Sequence, residues 1–291
     1  MIRSEATQLS RVRKLLERLA KGFGYGECYN WVMEKTLPTE KNYFYISPNK
    51  LKIWLECPRK YWHYYLNEPT RYQEPPRPYY TFGTAIHDTL NSFFSLVPQI
   101  RTRERFFDLL ELHWKAAKNQ QGGFKDNAEE KDYKERAVAM LENFYKKENT
   151  NAVPYKLSPQ STKYIPLTET IMLGGKIDRV DLEPDGSLHI IDYKTGKEDR
   201  DDPHQLLIYA LLVQSWLKKA VSKLSYLHLE SGNWSTSNST KTKEEEIRKF
   251  VIETAGEIPR EPSKEYFVCS LGVDCPHCDY LLELGIEPIL D

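Results

Sequence analysis

Between residues 174 and 197 the chain reads GGKIDRVDLEPDGSLHIIDYKTGK, which sets two acids and a lysine where a tight hairpin brings them together. In Glu183-Pro184-Asp185-Gly186-Ser187 the proline suits the first central position of a type I turn and the aspartate the second. The glycine suits the left-handed position of a three-residue loop with a bulge. Glu183 then faces Ser187, and counting outward pairs Leu182 with Leu188, Val180 with Ile190 and Asp178 with Asp192. Carboxylates opposed in this way lie about 5 Å apart, and they repel unless one is protonated or a cation sits between them. A divalent metal satisfies both. Asp181 falls on the other face, opposite His189, so Asp178 is the expected ligand. Lys194, two residues beyond Asp192, shares its face, where an ammonium can orient or deprotonate a water at the metal and neutralise a phosphate. So short a triplet also fits an exposed hairpin with an incidental lysine. Ile190 and Ile191, on opposite faces, argue for a strand covered on both sides, where unpaired charges are costly.

The elements that must hold this hairpin change character along the chain. Residues 9–20 read as a short charged helix, and residues 1–45 as an appendage without recognisable chemistry. SPNKLKIWLECPRKYWHYYL, from Ser47, offers a cap, a proline at the next position and apolar residues at helical spacing, which predicts one helix. A proline-rich loop follows, then a helix over FGTAIHDTLNSFFSL and two more near 102–119 and 127–148. After Pro159 the periodicity shortens towards two: TKYIPLTETIML, GGKIDRVDL and SLHIIDYK read as three successive strands. The helix DPHQLLIYALLVQSWLKK, strands at LSYLHLE and WSTS, and the helix KEEEIRKFVIETAGEI complete an α/β domain.

The run from Gly174 to Lys197 resembles the second and third motifs of the PD-(D/E)XK nuclease superfamily, in particular its RecB-like exonuclease branch, which includes the Cas4-like nucleases. That resemblance implies a restriction-endonuclease-like fold: a central mixed sheet flanked by helices, a nuclease domain over 46–285, a helical insertion at about 100–150 and a Cys-rich tail at 266–285. The branch carries a histidine in a G-x-x-x-H context, matched by Gly83 to His87, which makes His87 a third metal ligand. A backbone carbonyl at Tyr193 would complete the set around Mg2+ or Mn2+. A Gln-x-x-x-Tyr helix after the lysine is matched by Gln205 and Tyr209, whose spacing places both on one helix face. Asp178, Asp192, Lys194, Gln205 and Tyr209 are therefore the expected catalytic group, and Glu169 on the preceding strand is left out of it.

Five cysteines are unevenly spread: Cys28 and Cys57 stand alone, while Cys269, Cys275 and Cys278 fall within ten residues. The helix from Ser47 resembles the branch's S-P-x-x-L…C-P-x-x-Y segment, whose cysteine joins three from the C-terminal tail around a [4Fe-4S] cluster. Cys57, Cys275 and Cys278 fit that pattern. The family's last cysteine, six residues after the pair, is replaced by Leu284, and Cys269, six residues before the pair, could take its place. Four thiolates suit iron–sulfur first and tetrahedral zinc second, with reduced thiols as the remaining alternative.

The 291 residues are 40% apolar and 29% charged, and 41 basic residues nearly balance 42 acids. That excludes a uniformly basic nucleic-acid coat, and no stretch of about 18 apolar residues is present to span a membrane. The charged N-terminal twenty residues lack the apolar stretch of a secretory signal, so a cytoplasmic, reducing location is expected. Residues 41–80 nonetheless carry a local charge of +4 and eleven aromatic residues, the combination a single-strand path requires. The resemblance implies DNA exonuclease activity on single-stranded ends in DNA repair, recombination or CRISPR adaptation. A helicase or CRISPR-adaptation protein is the implied partner, since no P-loop motif is present. The competing readings are a non-catalytic assembly module stapled by its cysteines and a structure-specific endonuclease.

Overall fold

The computed structural model describes residues 43–67, 76–115, 122–157, 162–196, 201–269 and 275–276. The helix expected over 9–20 lies outside these residues. Strand β1 (Phe44–Ile46) leads into α1 (Pro48–Glu56) and α2 (Pro58–Tyr65), then α3 (Pro78–Ser95), α4 (Arg103–Lys115) and α5 (Asn127–Lys147). Strands β2 (Lys156–Leu157), β3 (Lys163–Pro166), β4 (Ile171–Gly175), β5 (Arg179–Leu182) and β6 (Leu188–Lys194) follow. Helix α6 (Gln205–Leu217), strands β7 (Val221–His228) and β8 (Asn233–Asn238), and helix α7 (Lys241–Glu257) complete the order.

The architecture is mixed α/β with helices on both sides of mixed sheets, as expected of a restriction-endonuclease-like fold. The ladder is in two pieces, β1-β4-β3 and β2-β5-β6-β7-β8. Strands β6 and β7 run parallel, with α6 as their crossover, and β1 runs parallel to β4. Two edge strands, β1 and β2, are too short to leave a periodic signal in the sequence.

Two of the expected segments are divided. The helix expected over residues 47–66 breaks at Cys57, which is extended (φ −166°, ψ 117°). Pro58 disfavours helical geometry in the residue before it, and it cannot supply the N–H that would continue the first helix. Cys57 instead caps α2, its sulfur accepting from Lys60 N at 3.5 Å. The strand expected over 162–173 folds back as the β3/β4 hairpin, where Thr168 Oγ1 accepts from the backbone N–H of Thr170 and of Ile171. Gly174 and Gly175 end β4 rather than beginning the next strand. A methyl group at Gly174 would sit 2.4 Å from the Tyr164 ring, so only glycine allows that ring to lie flat there.

Strand β6 runs through the middle of the larger sheet, buried along its length except at Lys194. Ile190 packs into a cluster with β4, α6 and α7, while Ile191 and Tyr193 face a second cluster formed by α3, α4 and α5. The sequence expectation of a strand covered on both sides holds. Helix α6 is buried nearly all round, which fixes its N-terminal residue, Gln205, against the end of β6.

Candidate active site

The hairpin that carries the acids forms with the expected register. Gly186 has φ +83° and donates to Glu183 O, Glu183 N donates to Ser187 O, and Asp185 Oδ1 accepts from Ser187 N. Leu182 pairs with Leu188, Val180 with Ile190 and Asp181 with His189. Strand β5 begins at Arg179, so Asp178 sits one residue outside the ladder. Its carboxylate reaches across, Oδ2 accepting from Tyr193 N at 3.0 Å. Asp181 lies on the opposite face, bound to Arg179 at 2.6 and 2.7 Å, and Glu169 is exposed on the β3–β4 turn.

Helix α3 brings His87 to the same place, with Nδ1 3.0 Å from Asp178 Oδ1. Gly83, one turn earlier, lets the helix approach β6 closely, since an added methyl there would lie 3.3 Å from Thr195 Oγ1. Lys194 Nζ is 2.8 Å from Asp192 Oδ2 and donates to Gln205 Oε1 at 2.7 Å. Gln205 Nε2 in turn donates to Tyr209 Oη at 3.2 Å and to Asp192 Oδ1 at 3.4 Å. The structure thus gathers His87, Asp178, Asp192, Lys194, Gln205 and Tyr209 at one end of β6. The Tyr193 carbonyl points to the same side of the strand as Tyr193 N, which Asp178 reaches. Lys194 O accepts from Leu229 N on the β7 side, so the neighbouring peptide groups point the other way, towards Asp178.

The electrostatics are those of a site short of positive charge. Burial first, and then the charge of Asp178, push the Asp192 carboxyl up to about 6, with Lys194 pulling in the opposite direction. For His87, burial works against protonation, but the charge and hydrogen bond of Asp178 outweigh it and hold the imidazole above its ordinary value. Burial raises the phenols of Tyr209 and Tyr226 well beyond their usual range, so both remain neutral hydrogen-bonding groups.

The family model of the PD-(D/E)XK nuclease superfamily matches residues 45–281. The chain belongs to this superfamily. No curated protein matches the sequence. Among solved structures, a candidate exonuclease from Eubacterium rectale aligns at 15% identity over 83% of this chain and 93% of its own, with a TM-score of 0.45. The protein SSO0001 aligns at 14% identity over 64% and 88%, with a TM-score of 0.29.

In this PD-(D/E)XK chain a second group of ligand-bearing side chains lies at the α1–α2 break. The sulfurs of Cys57, Cys269 and Cys275 all lie within 4.8 Å of one another, and Cys57 and Cys275 are fully buried. Soft thiolates converging in this way fit an iron–sulfur or zinc centre. Cys278, expected as the fourth ligand, lies outside the described residues, as does Cys28. Neighbouring contacts tie the same two stretches together without metal: Trp62 Nε1 donates to Pro262 O at 2.7 Å, and the Tyr61 and Phe267 rings stack.

Two residues of the acid site escaped the sequence reading. Tyr226, paired with Asp192 across β6–β7, lies with its ring centroid 4.5 Å from Lys194 Nζ. Its hydroxyl donates to Asp202 O at 2.7 Å, on the loop that enters α6. Lys176, two residues before Asp178, is exposed at the lip of the site. The spacing Lys176-x-Asp178 was visible, whereas the Tyr226 pairing depends on a parallel register set through α6.

Proposed function

We propose that the protein is a metal-dependent deoxyribonuclease acting as an exonuclease on single-stranded DNA ends. One observation carries the reading: His87, Asp178, Asp192 and Lys194 converge, with Lys194 held between Asp192 and Gln205. Two carboxylates, a carbonyl and an imidazole form a donor set dominated by hard oxygen, which favours Mg2+ or Mn2+. Two neighbouring acids of like charge, the buried Asp192 resisting ionisation, fit such an ion as well. His87, Asp178, Asp192 and the Tyr193 carbonyl would hold it, and when bound it supplies Lewis acidity at the phosphate and lowers the pKa of water.

The chain's own groups do the positioning. Lys194 keeps its ammonium beside the acids, where it orients the attacking water and offsets the negative charge that grows on the phosphate. Gln205 fixes Lys194, and Tyr209 and Tyr226 fix Gln205. Water attacks phosphorus and the 3′ oxygen leaves. Cys57, Cys269 and Cys275, with Cys278, would hold a [4Fe-4S] cluster, or zinc in its place, as a structural staple. DNA repair, recombination or CRISPR adaptation, with a helicase or adaptation protein as partner, are the settings this activity fits.

The test is digestion of end-labelled linear and covalently closed circular single-stranded DNA with Mg2+ or Mn2+. Linear strands are expected to shorten from an end and circles to survive, and the shortening should be lost in Asp192→Ala and Lys194→Ala. Cut circles overturn the exonuclease assignment, and full activity in the two variants overturns the site.

A further inference from the structure

Two cavities open beside the acid cluster and share one wall residue. One, of about 390 Å3, has His87 and Asp178 in its wall together with Tyr79 and Tyr80. The other, of about 270 Å3, is walled by Gln205 and Tyr209 together with Tyr45 and Tyr164. Lys176 belongs to both walls and so stands on the ridge between them. Each cavity therefore has a tyrosine pair in ring contact. The Tyr79 and Tyr80 centroids lie 4.4 Å apart, and those of Tyr45 and Tyr164 lie 5.3 Å apart, edge to face. All four rings are substantially exposed (47, 52, 40 and 38%), whereas Tyr61, from the same aromatic-rich stretch, is 1% exposed and fills the core.

We propose that the two tyrosine pairs are stacking subsites for the unpaired bases on either side of the phosphate that is cut, with Lys176 contacting the backbone between them. The proposal rests on the nuclease reading of the acid cluster and names the substrate feature that cluster meets. Each cavity shares residues with the acid site, so a phosphate held there delivers one neighbouring nucleotide into each. Ligand cavities run from about 300 to 1,000 Å3; the first cavity sits at the bottom of that range and the second just below it. They suit single nucleosides rather than base pairs. Aromatic faces accept any base, because every base has a π-face, so the subsites select unpaired DNA without selecting sequence. Lys176, and Lys50 in the wall of the second cavity, supply the cations that track a phosphate backbone. Asp88, in the wall of the first, keeps the phosphate towards the lysine side.

The test uses the full chain carrying Asp192→Ala, so that bound DNA survives, and short oligonucleotides with 2-aminopurine at successive positions from one end. Fluorescence quenching is expected at the two positions flanking one phosphate. Tyr79→Ala with Tyr80→Ala should abolish it on one side, and Tyr45→Ala with Tyr164→Ala on the other. Each double change should weaken single-strand binding roughly tenfold or more while sparing duplex binding. The corresponding double Phe variants should restore both readouts, which separates stacking from folding. Unchanged quenching in the Ala pairs, or equal losses for single and double strands, overturns the proposal. Because neither readout needs cleavage, an unsubstituted chain that cuts no DNA would sink the nuclease reading without deciding the stacking result.

Discussion

At the acid cluster, strands β5 and β6 and helices α3 and α6 bring together two carboxylates, an imidazole and an ammonium. Burial leaves one of the acids reluctant to ionise. At the thiol cluster, three sulfurs from the two ends of the described domain meet beside contacts that already join those ends, the Tyr61 ring on Phe267 and the Trp62 indole N–H on Pro262 O, 200 residues away. The first arrangement costs stability in the metal-free chain, because like charges are held in a poorly solvated place. A metal centre held by the second would add a crosslink to a contact that packing already favours. On the proposed reading, function concentrates at the first site and stability at the second, and substitutions at each should act on different observables.

The largest effect is expected on cleavage. Lys194→Ala should lower the rate of nucleotide release by roughly 100- to 10,000-fold, the range typical of a lost proton-transfer or charge-positioning group. Asp192→Asn should be equally inactive and yet raise the unfolding temperature of the metal-free chain by a few degrees. Its amide oxygen can still accept from Lys194, its NH2 gives up the long contact from Gln205 Nε2, and the like charge beside Asp178 is gone. Thermal unfolding in a chelator measures this directly. A fall in unfolding temperature for Asp192→Asn would break the contrast between the two sites.

Cys57→Ser sharpens the other half. Serine is a good N-cap, so the start of α2 survives the exchange, and what is lost is the sulfur ligand. Removing a link that closes a long loop costs about 2–4 kcal/mol. The unfolding temperature should drop by roughly 5–15 °C, with loss of brown colour or bound zinc. An unchanged melting curve with unchanged metal content would show that packing alone joins the two ends.

How far the sequence anticipated these two sites depended on how local their determinants were. The Glu183–Ser187 turn sets its own register through Pro184, Asp185 and Gly186, so the relation of Asp178 to Asp192 and the outward position of Asp181 followed from a few neighbouring residues. The break at Cys57 was also local, but the run of helical spacing hid it, and Pro58 decided it. Strands β1 and β2, the separation of the sheet into two ladders, and the place of Tyr226 opposite Asp192 depend on pairings across distant segments. The convergence of Cys57 with Cys269 and Cys275 came through family resemblance rather than through any rule of spacing.

The back of the hairpin contrasts with its acid face. His189, on the face opposite Asp192, is held down at about 4 by burial first and then by Lys223, with Asp181 opposing and Arg179 adding to the depression. Its Nε2 meets Ser225 Oγ at 2.7 Å, and Glu183 lies 3.4 Å from Nδ1. The unfolded chain protonates this residue near 6.5 while the folded chain resists until about 4. Stability is therefore lost as pH falls through that window and regained as it rises. With allowance for screening, the loss is about 1–2 kcal/mol. Urea titrations at pH 4.5 and 7 should show it, and His189→Gln should flatten the difference.

The smallest effect is expected where positioning is indirect. Tyr226→Phe keeps the ring beside the Lys194 ammonium and removes only the hydroxyl that holds Asp202 O at 2.7 Å and grazes Gln205 Oε1 at 3.4 Å. A single neutral hydrogen bond contributes about 1 kcal/mol, so kcat should fall only severalfold with KM for DNA unchanged. Tyr226→Ala also removes the ring from beneath the ammonium, and its kcat should fall further, towards that of Gln205→Ala. Equal kinetics for the Phe and Ala forms would mean that the hydroxyl alone matters and that Lys194 is positioned by Asp192 and Gln205 without help from the ring.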